Sequence, residues 1–359
     1  MDRRAFIKST AVAAGVAAAS SSVSGAPATH KSVVELRMVV PWPSEAVAVH
    51  AFARRLATRV ERASDSQLRL HLVGTGDEPP NGSCLDILAN GDAELYLGSE
   101  LWHAATAPAL GFFAGLPFGL DAGEFATWLA SGGGQVIWDE AGDAVGVKPM
   151  LAGVAGPAVG TWSADPITSV DAYKGLRTHA PGHTAEIVAA LGATHVALSA
   201  SDVVPAMADG RIRATSYAGP YLDMQLGLNR SATYHHTSAL HPSSFVLSVG
   251  IRRKLWADLT ANQRVLIEAC LAAERDTFNA ELATNGALAR RAISTQPAIA
   301  TVEIPPASLS EMRQAASDML RTIAIRDLTA RKAYDSQLGF RAMMADHASE
   351  PKPTDWAGV

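Results

Sequence analysis

Apolar and polar residues alternate strictly in QLRLHLVG (residues 67–74), the two-residue repeat of a strand with one buried face. Before it, EAVAVHAFARRLATRVERAS (residues 45–64) spaces its apolar side chains three and four positions apart, as a helix does that buries one stripe. VELRMVVPWP (34–43) predicts a strand, SCLDILANG (83–91) a short helix capped by Gly91, and AELYLGS (93–99) a third strand. Strand, helix, strand, helix, strand predicts a parallel α/β sheet. Past Gly119 the pattern turns helical through DAGEFATWLASGGGQVIWDEA (121–141), and strands return at KPMLAGVAG (148–156) and AVGTWSA (158–164). A second α/β run follows, with strands at 176–179, 194–198 and 212–217 and helices at 183–191 and 202–208. SSFVLSVGI (243–251) is a further strand, and the chain is then almost wholly helical to about Met344. The tail 348–359 reads as loose.

This pattern predicts an α/β, two-lobed molecule with a ligand cleft between the lobes and a helical C-terminal region. Residues 29–155 would form mainly the first lobe and 156–250 mainly the second, with 251–347 packing across both. Ligands in open parallel sheets collect beyond the carboxyl ends of the strands, which is the rim that faces such a cleft.

Residues 1–28 stand outside this periodicity. DRRAFIK pairs Arg3 with Arg4, STAVAAGVAAASSSVSG follows, and Ala26-Pro27-Ala28 closes the segment. That is the layout of a twin-arginine export signal, cleaved near Ala26 or Ala28, which places the mature chain in a periplasm. The apolar run is too short and too rich in Ala and Ser to span a bilayer well. A net charge of −5 gives no electrostatic reason to expect nucleic acid as a partner. A twin-arginine substrate folds in a reducing cytosol, so Cys84 and Cys270 are expected as two separate thiols.

The sequence lacks G-x-S-x-G, the phosphate-binding G-x-x-x-x-G-K-[ST], H-E-x-x-H and C-x-x-C. No catalytic residue and no cofactor are assigned. His179 and His183 straddle a Pro-Gly turn and could converge, but no Asp, Glu or Cys with ligand spacing accompanies them. His235 and His236 are neighbours on a strand and point to opposite faces.

The segments GDAELYLGSELWHAATAPAL, FFAGLPFGL, SGGGQVIWDE, AVGTWSADPITSVDAYKGLR, ALSASDVVPAMADGRIRATSYAGPYLDMQLGL and LWADLTANQR carry a resemblance that runs over residues 34–264. In order and spacing they resemble the periplasmic solute receptors of TRAP transporters, most closely the branch that binds 2-oxo acids. The resemblance implies a two-lobed, non-catalytic protein that captures a small, mostly carboxylated solute and delivers it to integral membrane subunits. Two other readings stay open: a diverged receptor serving as a sensor partner or no longer binding solute, and an exported enzyme using His179 and His183.

The resemblance also locates a site, and this chain departs from it. The family's strand ends on an arginine that clamps the solute carboxylate with a planar guanidinium. Here the strand reads Gly175-Leu176-Arg177-Thr178-His179, and His179 holds the clamp position. The glutamine and glutamate that hold a bridging cation in the 2-oxo-acid branch fall at Ala158 and Ser216, so no metal site is carried over. The tryptophan that follows is Tyr217, and the aromatic wall of the first lobe falls at Leu101, Trp102 and His103. Exchanging the bidentate clamp for an imidazole costs a simple carboxylate about one to two orders of magnitude in affinity, unless another group compensates.

Arg177, two residues back on the same strand face, is the candidate compensator; its plainer reading is a solvated surface arginine. His179, His103, Ser216, Trp102 and Trp162 are candidate ligand contacts as well; the plainer readings are a buried capping histidine for His179 and core residues for the two tryptophans. Tyr217 and Tyr221 flank a turn at a strand end and are expected in the cleft. The relatives can dimerise through a long C-terminal helix; the counterpart here is shorter, which leans to a monomer and leaves a dimer open.

Overall fold

The structure, a computed structural model, describes residues 33–74, 83–156, 160–180, 182–238 and 240–349. The twin-arginine segment, its cleavage site, Ala158 and residues 350–359 lie outside the described residues. β1 (Val34–Val39), α1 (Val47–Ala63), β2 (Leu68–Val73), α2 (Ser83–Asn90) and β3 (Leu95–Gly98) follow in the order the periodicity predicts. β1 pairs in parallel with both β2 and β3, with Val34 opposite Leu68 and Met38 opposite Leu95.

After a short helix, α3 (Pro108–Gly111), the expected helical stretch divides into α4 (Ala122–Ser131) and α5 (Gly134–Asp143). The break has a local cause. Gly133 adopts φ +83°, a left-handed conformation open to glycine, and a Cβ on Gly134 would sit 2.6 Å from the ring of Trp128. A reciprocal capping box between Asp121 and Glu124 fixes the start of α4.

β4 (Val147–Ala155) is an almost continuous buried run. β5 (Thr161–Ser163), β6 (Arg177–His179), α6 (Thr184–Ala190), β7 (Thr194–His195), α7 (Ala200–Ala208), β8 (Ala214–Thr215), α8 (Pro220–Leu226) and β9 (Tyr234–His236) build the second lobe. The chain then returns. β10 (Phe245–Arg252) enters the first sheet between β3 and β4, antiparallel to both. The first sheet therefore has the order β2-β1-β3-β10-β4 and is mixed, not parallel as the sequence suggested. A strand arriving from the other lobe runs opposite to strands fed by local crossovers.

The C-terminal region comprises α9 (Arg253–Asp258), α10 (Ala261–Ser294), β11 (Ala300–Val302), α11 (Pro306–Ala324) and α12 (Leu328–Ser349). β11 interrupts the expected helical region and joins the second sheet, whose order is β11-β9-β5-β8-β6-β7. At 34 residues, α10 is about 51 Å long. It packs on α1 and β4 of the first lobe and on α8 of the second. Glu274, fully buried on α10, receives Arg55 at 2.6 Å and Arg59 at 3.4 Å from α1. Along β10, Phe245, Leu247, Val249 and Ile251 enter the core that holds α1 and α10, while Val246 faces the core of α4, α5, α11 and α12. Cys84 and Cys270 are buried and unbridged. No described helix is long and apolar enough to cross a membrane.

Candidate functional site

A cavity of about 330 Å³ opens where the carboxyl ends of the two sheets meet. From the first lobe come Trp42 after β1, Ser99 to Ala105 after β3, and Phe245 at the start of β10. From the second come the β6–α6 turn, the segment after β7, and Tyr217 and Ala218 after β8. The two walls approach closely at Gly182 and Leu101. Gly182 adopts φ +61°, and a Cβ there would lie 2.7 Å from Leu101 Cδ2, so only glycine lets the turn approach so closely. Beside it His183 Nε2 donates to Pro108 O at 3.0 Å and its ring lies 4.6 Å from that of Phe112.

One wall is aromatic. The ring of Trp42 is 4.9 Å from Trp102, 6.3 Å from Tyr217 and 5.9 Å from Phe245. Trp42 is pinned by its indole N–H, which donates to Leu97 O at 3.2 Å. The other wall carries three imidazoles, His179, His183 and His195. His179 Nδ1 donates to Val196 O at 3.1 Å, and the N–H of Ala180 donates to His195 Nδ1 at 3.3 Å. Burial pushes the pKa of His179 and of His183 down to about 4, and lowers that of His195, so all three rings are neutral at physiological pH.

Of the residues singled out in the sequence, His179, Trp102 and Tyr217 line this cavity together. Arg177 does not. It is exposed, and its guanidinium donates to Gly210 O at 2.5 Å, away from the cleft. His103 is fully buried behind the wall, edge-on to Tyr96 at 5.3 Å, and neither ring nitrogen has a partner among the described residues. Trp162 is also fully buried and donates to Asp223 Oδ2 at 2.8 Å. Ser216 is buried, its hydroxyl paired with Thr161 Oγ1 at 2.8 Å. Tyr221 lines a separate cavity of about 250 Å³ with Asn279 and Arg290.

Trp42, His195 and Phe245 are cavity residues that sequence reasoning did not single out. Trp42 stands directly after a strand in Val-Val-Pro-Trp-Pro, at a carboxyl end facing the cleft, and that position was the available signal.

Asp223 on α8 holds the floor in shape. It is fully buried, and its Oδ1 accepts the N–H groups of Ala218 at 2.9 Å and Gly219 at 3.2 Å while Oδ2 takes the Trp162 indole. Burial drives its pKa up to about 7, against the pull of those three donors. Behind the opposite wall, burial likewise raises Glu100 to about 7, although Tyr96 donates to it at 3.0 Å. Among the described residues, no group of three or more His, Cys, Asp or Glu side chains converges to hold a metal ion.

The chain is similar to a monocarboxylate 2-oxoacid-binding periplasmic protein of Nostoc sp., 27% identical over 313 residues that cover 86% of this chain and 84% of the relative. Its fold matches a TRAP periplasmic solute-binding protein of Colwellia psychrerythraea, solved with calcium and pyruvate bound. The TM-score is 0.81 at 19% identity, covering 88% of this chain and 96% of that one. It also matches a TRAP transporter solute-binding protein of Bordetella bronchiseptica, solved with calcium and picolinate. There the TM-score is 0.82 at 22% identity, covering 88% and 94% of the two chains. The fold is thus shared with solved solute-binding proteins over most of both chains. The model of bacterial extracellular solute-binding proteins, family 7, matches residues 40–327, and the chain belongs to that family.

Proposed function

We propose that the protein is the periplasmic receptor of a TRAP-type transporter. It is exported through its paired arginines, closes its lobes around a small organic solute and hands it to integral membrane subunits. The observation that carries this reading is the cavity itself. Both lobes build it, so a solute bound there bridges them and stabilises the closed arrangement. Its volume of about 330 Å³ suits a small molecule.

The anchoring chemistry differs from that of relatives solved with calcium. The residues at hand do not fit a cation: the Ser216 hydroxyl is engaged by Thr161, and position 158 is alanine. The solute would instead rest on Trp42, Trp102, Tyr217 and Phe245 and hydrogen-bond to the imidazole wall. We take the working unit to be a monomer, because α12 packs against α3, α4, α5 and α11 of its own chain. Light scattering at micromolar concentration measures that directly. Binding is tested by a melting-temperature screen of the mature protein against small acids, alcohols, amides and aromatic solutes. A shift of several degrees with one class is expected, and no shift with any class refutes the receptor reading.

A further inference from the structure

We infer that the cleft takes its solute uncharged, reading a flat donor–acceptor edge such as a primary amide instead of clamping a carboxylate; this rests on the receptor reading above. The argument lies in how the imidazoles are wired. A backbone carbonyl can only accept, so the 3.1 Å contact with Val196 O places the proton of His179 on Nδ1. In the neutral ring Nε2 is then a lone-pair acceptor, with no partner among the described residues. His195 is wired the other way. Its Nδ1 accepts the Ala180 N–H, so its neutral ring carries the proton on Nε2 and is a donor. The two rings lie 5.7 Å apart, centroid to centroid, and both line the cavity. One offers an acceptor and the other a donor.

No lysine or arginine stands among the described lining residues. Arg177 is occupied by Gly210 O, and Arg326 is held by Glu186 at 2.6 Å. Glu186 is itself the one acidic residue of the described lining. A carboxylate placed here would face the lone pair of His179 and a glutamate, with no cation to replace its water. A primary amide fits both rings: its N–H donates to His179 Nε2 and its oxygen accepts from His195 Nε2. Its body stacks on the aromatic wall.

The test is calorimetric titration at pH 8 with matched pairs that share one body: picolinate and picolinamide, nicotinate and nicotinamide, pyruvate and pyruvamide. In wild type the amide should bind at least about tenfold more tightly than its acid. In His179→Arg the preference should reverse, because the guanidinium restores a bidentate carboxylate partner. Tighter binding of the acid by the wild-type protein overturns the inference and leaves the receptor reading standing. If no pair member binds while another solute class shifts the melting temperature, the amide edge is wrong and the receptor stands. If nothing in either experiment binds, both readings fall.

Discussion

Replacing Asp223 should damage both stability and solute capture, and the structure sets the scale. Its carboxylate is the shared acceptor of the Trp162 indole and of the Ala218 and Gly219 N–H groups, at 2.8, 2.9 and 3.2 Å. Asp223→Ala leaves those three donors buried without a partner, at a cost of about 1–3 kcal/mol each, so a total loss of about 3–9 kcal/mol is expected. Asp223→Asn keeps one oxygen for the two backbone donors but turns an NH₂ group toward the indole N–H, which should cost about 1–2 kcal/mol.

The pH dependence supplies a second readout. Because burial raises this carboxyl to about 7, the unfolded chain ionises first as pH rises from the free-carboxyl range. Asp223 therefore stabilises the fold most at low pH and loses that contribution as pH climbs toward 7. Relative to Asp223→Asn, wild type should lose about 2–3 kcal/mol between pH 5 and pH 7. Urea unfolding followed by tryptophan emission measures all three proteins, with Trp162 reporting the loss of its acceptor. Since Tyr217 and Ala218 line the cavity, solute affinity should fall in the same order. An Asp223→Ala protein within about 1 kcal/mol of wild type would refute the reasoning.

Acid should unfold the protein above pH 4. Burial holds His103, His179, His183, His235 and His236 neutral with pKa values of about 4, so the stability they confer is complete above the normal histidine pKa and is lost as pH falls toward 4. Glu100 and Asp223 act in the opposite sense, but five rings outweigh two carboxyls; a melting temperature that stays flat from pH 7 to pH 4.5 would contradict this. Gly182→Ala should weaken solute binding at least about tenfold by calorimetry while costing only about 1–2 kcal/mol of stability, because it strains a left-handed turn and pushes Leu101 across the cleft mouth. Changing both Arg3 and Arg4 to Lys should leave the protein in the cytosol, as fractionation would show; normal export removes the twin-arginine assignment.

The strands and helices up to β3 were legible because each obeys a single periodicity with one buried face. The direction of β10 was not, since its apolar run looks the same whichever way it enters a sheet. β11 escaped notice because three mostly exposed residues after a long helix carry no period. At the site, the strand-to-helix junction pointed to His179, which lines the cavity. Arg177 shows the limit of such reading: strand alternation puts it on the same face, but a long side chain goes where an acceptor is, and Gly210 O lies outward. His103 and Trp162 looked like wall residues in sequence, and only packing shows that they stand one layer behind it.

The place of β10 in the first sheet has a consequence for how the chain is made. β3 and β4 are joined only through Phe245–Arg252, which pairs with both. During synthesis, β2-β1-β3 and the isolated β4 must therefore wait, each with an open edge, while β5 to β9 of the second lobe emerge from the ribosome. The first sheet is begun first but closed only after most strands of the second have been made. The chain thus cannot close its first sheet until about seven-tenths of it has been translated. The waiting period is when such a chain most needs a chaperone to cover its edges.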